Sequence, residues 1–159
     1  MSVTVRFRRI RPEEGPLEAP RYMSEGASGL DLAAAVVAPL VLAPGDRARV
    51  PTGFAIEIPS GFEGQVRPRS GTADKHGLTV LNAPGTIDRD FRGEVQVLLV
   101  NLGREAFTVT RGTRIAQLVI SPVVQATVEM VDSLGDTARG AGGFGSSGMD
   151  SKQEKAGTT

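Results

Sequence analysis

Short β-forming runs, cut at close intervals by glycine and proline, most constrain what this chain can fold into. Twenty glycines and ten prolines are spread through 159 residues, the pattern expected of an all-β sandwich or barrel. Candidate strands are Val3–Arg8, Arg47–Thr52, Ala55–Ile58, Glu63–Pro68, Thr79–Leu81, Val95–Asn101, Phe107–Val109, Arg114–Ser121 and Gln125–Met130. Turns such as Ala43-Pro44-Gly45-Asp46 and Pro59-Ser60-Gly61 separate them. The one expected helix is a turn or two around Gly71–His76. Val95–Val100 is nearly all aliphatic, which suits a central strand covered on both faces. With six Phe, one Tyr and no Trp, the core must be built mainly from Val, Leu and Ile.

A chain of this length makes one domain. Its eighteen basic and eighteen acidic residues cancel, so net charge suggests neither a nucleic-acid nor a membrane partner. The absence of cysteine removes thiol catalysis, cysteine-ligated zinc and disulfides together, and fits a reducing compartment. The single histidine, His76, lies in the polar turn Asp74-Lys75-His76-Gly77 and reads as a surface residue. Any metal is then expected to be a hard, oxygen-liganded ion such as Mg²⁺, held largely by the substrate. No apolar run reaches membrane-spanning length. Val3, Val5 and Phe7 alternate with Thr4, Arg6 and Arg8, which reads as a strand with one wet face. That alternation accounts for the basic start without a targeting signal, and a cytoplasmic protein is expected.

The composition changes after Leu134. Residues 136–159 hold almost no aliphatic side chain and many Gly and Ser, too little to offset the entropy of ordering. The chain is therefore divided into a β domain, residues 1–135, and a mobile Gly-rich arm, residues 136–159. Gly140-Ala141-Gly142-Gly143-Phe144-Gly145 matches a loose dinucleotide fingerprint, but no βαβ unit surrounds it. Such a loop, with Arg139 before it and Ser146-Ser147 after it, can bring N–H, guanidinium and hydroxyl donors to phosphate.

The segment Asn82-Ala83-Pro84-Gly85-Thr86-Ile87-Asp88-Arg89-Asp90-Phe91-Arg92-Gly93-Glu94 carries the sharpest chemical signal. Pro84-Gly85 suits a turn, and the run after Gly93 is β-branched and aliphatic, so the segment reads as a β-hairpin. An acid held on it, Asp88, can position a water molecule; the plain alternative is a turn with solvated charges. Four more segments accompany it: Ala27-Ser28-Gly29-Leu30-Asp31-Leu32, Pro68-Arg69-Ser70-Gly71-Thr72-Ala73, Arg111-Gly112-Thr113-Arg114-Ile115-Ala116-Gln117-Leu118, and Arg139 to Gly148. In this order the five resemble the motifs of the trimeric deoxyuridine triphosphatase (dUTPase) family, from about Arg6 to Gly148.

The resemblance implies a jelly-roll-like subunit with one short helix, in a homotrimer whose active sites are shared between chains. It implies Mg²⁺-dependent hydrolysis of dUTP to dUMP and pyrophosphate by water attack at the α-phosphorus. This keeps uracil out of DNA and supplies dUMP for thymidylate synthesis. By resemblance Asp88 is the general base, Gln117 reaches the attacked phosphate and the water, and Arg139 meets the terminal phosphates. Arg69, Ser70 and Gly71 supply phosphate contacts; Ser70 also suits a helix N-cap. Asn82 faces the uracil edge, where an amide offers both a donor and an acceptor. Gly85, Thr86 and Ile87 complete that pocket, and Phe144 stacks over the uracil, with Gly145 and Ser146 beside it. Phe91 stands where the family usually carries tyrosine, against the deoxyribose; it loses a hydroxyl and keeps the ring. Asp31 meets the hydrated Mg²⁺ on the triphosphate through water. Two alternatives share the fold. A dCTP deaminase needs a glutamate five residues past Gly93, where this chain has Leu98. A non-catalytic regulator would be expected to have lost motif residues, and the principal polar ones are present.

Overall fold

A computed structural model of the chain describes residues 3–143. Among the described residues eleven strands form in chain order: β1 (Arg6–Arg9), β2 (Arg21–Tyr22), β3 (Leu30–Ala33), β4 (Leu40–Leu42), β5 (Arg47–Glu57), β6 (Phe62–Arg67), β7 (Leu78–Val80), β8 (Gly85–Ile87), β9 (Glu94–Asn101), β10 (Phe107–Val109) and β11 (Arg114–Pro122). A 3₁₀ turn spans Pro12–Glu14, and one α-helix, α1, spans Ser70–His76. The strands make a four-stranded sheet in the order β1-β5-β9-β7, a five-stranded sheet β2-β3-β11-β6-β8, and the pair β10-β4. Every pairing is antiparallel. This is the expected all-β, jelly-roll-like architecture, open rather than closed into a barrel.

Alternation explains how these sheets share one core. On β9, Val95, Val97 and Leu99 are buried while Gln96 is exposed and Leu98 half-buried. The strand is central, but only one of its faces is fully covered, against the expectation of two. Leu32, Val66 and Leu118 come from the five-stranded sheet, Val50, Val97 and Leu99 from the four-stranded sheet, and Leu42 and Val109 from the pair. All belong to the same buried cluster. The interior is aliphatic, as the shortage of aromatics requires. Asn101, fully buried, donates to the carbonyls of Leu42 and Glu105 and accepts from Gly103 N–H, so its amide is satisfied without water.

Several boundaries differ from expectation for local reasons. Arg47–Thr52 and Ala55–Ile58 are one strand, broken in register between Pro51 and Ala55. Gly53 at φ +75° turns the backbone there, and Thr52 Oγ1 donates to Val95 O at 2.6 Å across the gap. Residues 123–130 form no strand: Val124, Val128 and Met130 are exposed, and no ladder is formed by Gln125–Met130. Ser70 is not the helix cap. Arg69 takes that place in an extended conformation, and no side chain bonds the first turn. The helix ends at Gly77, whose φ of +65° is the left-handed geometry favoured by glycine.

The segment 82–94 is not a hairpin. β8 pairs with β6 and β9 pairs with β5 and β7, so this stretch crosses from one sheet to the other. Turn residues followed by an aliphatic run look alike in both cases, because the strand partner is chosen by the rest of the core. The chain divides into a compact unit, Met1–Gln125, and a second, Ala126–Thr159. Among the described residues no helix is long and apolar enough to cross a membrane.

Candidate active site

The register of the five-stranded sheet builds a polar row. Arg21 lies opposite Asp31, Asp31 opposite Gln117, and Gln117 opposite Arg67. Directly opposed residues share a face, so these four side chains stand side by side. The adjoining row, Leu30, Leu118 and Val66, points the other way into the core. Arg114 joins the polar face through a β-bulge. It is three residues from Gln117, which in a regular strand would put it on the opposite face. The register shift between Arg114 and Ala116 sets Arg114 opposite Ala33, two residues from Asp31 and on its face.

Asp31 is only 13% exposed and is gripped by two guanidiniums. Arg114 Nη1 lies 3.1 Å and Arg69 Nη2 3.3 Å from the same oxygen, Oδ2. Arg69 also donates to Arg114 O at 3.4 Å. Gln117 Nε2 donates to Pro68 O at 2.9 Å, which ties the sheet to the entry of α1. Its carbonyl lies where Gly29 leaves room: a Cβ on Gly29 would stand 2.4 Å from Gln117 Oε1. Three of the quoted motifs thus meet here, with Asp31, Arg69, Arg114 and Gln117 in one cluster. Ser70 and Gly71, at the start of α1, lie beside Arg69 in sequence, and Gly71 is exposed. A cleft of about 390 Å³ beside the cluster is lined by Gln65, Arg67, Pro68, Ala83, Pro84 and Gln117.

The segment after Pro84 faces elsewhere. Gly85 pairs with Val66, and its missing side chain accommodates the Asn82 amide, 3.1 Å from where a Cβ would sit. Thr86 is exposed and Ile87 is buried in the core, so only the backbone of Ile87 is available to a ligand. Asp88 is exposed and lines a separate cleft of about 530 Å³ with Ser60, Glu63, Asp90 and Val123 among others. Ile87 is level with Gly64, and Gly64 with Ile120. Asp88 therefore lies two strands across and four residues along from Gln117, about 16 Å at ordinary strand spacings. Within one chain, Asp88 does not reach the Asp31–Gln117 cluster.

The loop that follows is closed by its own backbone. Phe91 N–H donates to Asp88 O, and Arg92 donates to the carbonyls of Arg89 and Phe91. It ends at Glu94, whose carboxylate takes two bonds from Arg11, at 2.6 and 3.2 Å, and one from Gly53 N–H at 2.8 Å. Burial pushes the Glu94 carboxyl up, but Arg11 and the Gly53 amide more than reverse this and hold it below the ordinary carboxylate range. Arg139 lies in the second unit, exposed, with Nε donating to Gly142 O. Phe144, Gly145 and Ser146 fall outside the described residues. Sequence reasoning gave no role to Arg114, Gly29, Arg11 or Glu94. The only signal for Arg114 and Gly29 was their place in the quoted motifs, and the Arg11–Glu94 pair left none.

The dUTPase family model matches residues 16–148. The chain belongs to the dUTPase family. A deoxyuridine 5'-triphosphate nucleotidohydrolase of Rhizobium etli is 63% identical over 148 residues, covering 92% of this chain and 94% of that protein. Among solved structures, a variant of the Staphylococcus bacteriophage 80alpha dUTPase with dUpNHpp aligns at TM-score 0.77 and 26% identity, over 91% of this chain and 98% of that one. A mutant of the dUTPase from phage phi11 of S. aureus, whose structure is described with a structural Mg(II) ion, aligns at TM-score 0.72 and 22% identity, over 82% of this chain and 97% of that one. The fold expected from the sequence motifs is the fold of this family.

Proposed function

We propose that this dUTPase, which hydrolyses dUTP to dUMP and pyrophosphate, completes each active site from separate copies of the chain in a homotrimer. The observation that carries this reading is the separation of about 16 Å between Asp88 and Gln117 along the sheet. A base and the group that orients the same water must both lie within hydrogen-bond reach of it. One chain cannot satisfy both; a neighbour in a closed ring can.

One copy supplies the phosphate half. Arg69, the Ser70 hydroxyl and the Gly71 amide bind the triphosphate, and Gln117 presents its second amide hydrogen to the attacked phosphate and the water. Fixed donors aimed at developing charge stabilise the transition state without reorganising. A second copy supplies the nucleoside half. There Asn82 pairs with the uracil edge, the strand Gly85–Ile87 lines the pocket, and Phe91 packs against the deoxyribose. Asp88 takes the proton from the attacking water. Arg139, with Phe144, Gly145 and Ser146, comes from the arm of a different copy from the one that supplies Asp88, and closes over the terminal phosphates and the base.

No group of three His, Cys, Asp or Glu side chains fit to hold a metal occurs among the described residues. The donor set therefore fits a hard cation that arrives on the triphosphate and meets the single carboxylate of Asp31 through water. When bound, Mg²⁺ would supply neutralisation of the triphosphate charge. A cytoplasmic setting is part of this proposal.

Mixed trimers test the shared site. Asp88→Asn and Arg69→Ala are each inactive alone and are unfolded and refolded together in equal amounts. A site works only if its Asp88 comes from an Arg69 variant chain and its Arg69 from an Asp88 variant chain. Random mixing should restore about a quarter of sites, read as pyrophosphate release from dUTP with ammonia measured alongside. Verified mixing with no recovered activity would refute sharing.

A further inference from the structure

Phe91 has no hydroxyl, is 40% exposed, and sits in a loop that crosses between two sheets. Its ring is nevertheless located. The Phe91 backbone is fixed by its N–H to Asp88 O, at 3.1 Å, and by the Arg92 guanidinium bonded to Phe91 O and Arg89 O. The ring itself folds back onto Gly93. A Cβ on Gly93 would stand 2.7 Å from Phe91 Cζ and 2.9 Å from Cε2, distances that carbon atoms do not adopt. Gly93 is not among the glycines with positive φ. Its backbone would accept any residue, so what the position needs is the missing side chain.

We infer that Gly93 is the seat that holds the Phe91 ring in place, and that through this contact it sets the preference for a deoxyribose over a ribose triphosphate. The inference rests on the role proposed above for Phe91. A ring whose far edge, Cζ and Cε2, rests against a bare backbone is held at that end, which leaves the rest of it to meet the sugar. An alanine at this position pushes the ring off its seat, and because the ring is partly exposed it can swing into solvent without opening the core. Gly93 is thus a positioning residue: it acts through Phe91, and its loss shows in discrimination between sugars before it shows in stability.

The test compares kcat/KM for dUTP and for UTP in four proteins: the unaltered chain, Phe91→Ala, Gly93→Ala and the double variant. Phe91→Ala should lower the dUTP/UTP ratio by about tenfold or more, in line with the cost of a misplaced positioning contact. Gly93→Ala should lower it by a similar factor with a near-normal melting temperature, and the double variant should match Phe91→Ala, because the ring that needed the seat is gone. An unchanged ratio in Phe91→Ala overturns the role of Phe91 and this inference with it. A lowered ratio in Phe91→Ala with an unchanged one in Gly93→Ala overturns the seat alone. If Gly93→Ala also lowers the melting temperature, the double variant decides. The seat requires Gly93→Ala to be silent in both stability and ratio once the ring has been removed, and a backbone role requires it to remain costly.

Discussion

Asp31 and Asp88 are both motif acids, and the molecule treats them in opposite ways. Asp31 is 13% exposed on a paired strand, with Arg69 and Arg114 bonded to one of its oxygens. Asp88 is exposed at the end of a short edge strand, and its backbone carbonyl closes a turn while its side chain faces an open cleft. The first acid is already committed to holding positive charge in place. The second is presented outward by a loop anchored at both ends, by Ile87 in the core and by Glu94 on Arg11. Charge-stabilising groups gain from being fixed before the ligand arrives. As the proposed base, Asp88 would be surrounded by substrate and partner before it acts, and among the described residues no ion pair is tied to it.

The comparison breaks most visibly at Asp88. Asp88→Asn keeps the shape and removes the proposed base, so kcat should fall by roughly 10²–10⁴. Stability should change by no more than about 0.5 kcal/mol, because the side chain replaced is exposed and makes no ion pair among the described residues. Binding of a non-hydrolysable dUTP analogue should survive. More than about a tenth of the original kcat would show that another group takes the proton.

Asp31→Asn should act on both quantities at once. The substitution leaves two guanidiniums without their shared counter-charge. About 1–2 kcal/mol of stability should go, a figure reduced from the fully buried case because Arg114 is half exposed. As Arg69 loses its brace, kcat/KM for dUTP should drop by about tenfold or more. A variant with full stability and lost activity would instead make Asp31 a pure ligand residue and erase the contrast with Asp88.

How far the sequence carried the reading follows from the same contrast. Aliphatic and β-branched runs bounded by turn residues located β9, β10 and β11 within a residue or so. The same reading missed β2, β3, β4 and β8, each only two to four residues long. The motif acids, Arg69 and Gln117 were visible as types of residue in a known order. That Arg114 turns to the face of Gln117 was not, because the bulge at Ile115 is a register event between β11 and β3 and leaves no local mark. The hairpin reading failed likewise: which strand β8 pairs with is decided by the core beneath β6. The Arg11–Glu94 pair, 83 residues apart in sequence, could only be seen folded.

That pair gives the smallest effect and the sharpest check on the anchoring of the Asp88 loop. Arg11→Met strips the guanidinium from Glu94 and leaves the Gly53 N–H as its nearest strong donor. Near neutral pH the loss should be about 1–2 kcal/mol, since Glu94 is 13% exposed and Arg11 31%. The pH dependence fixes the cause. Burial alone raises the Glu94 carboxyl, and Arg11 with Gly53 brings it below its ordinary value of 4.5. A carboxyl lowered by folding stabilises fully above its unfolded value, and this contribution is lost as pH falls through the folded value. The gap between the unaltered chain and Arg11→Met in urea midpoints should therefore be constant above about pH 6 and close as the solution is acidified below about pH 4.5. Protonation removes the buried charge from the variant while it removes the ion pair from the parent. A gap that stays the same from about pH 7 to about pH 3.5 would mean that Arg11 supports the loop through its packed methylenes, and the carboxylate anchor would have to be given up.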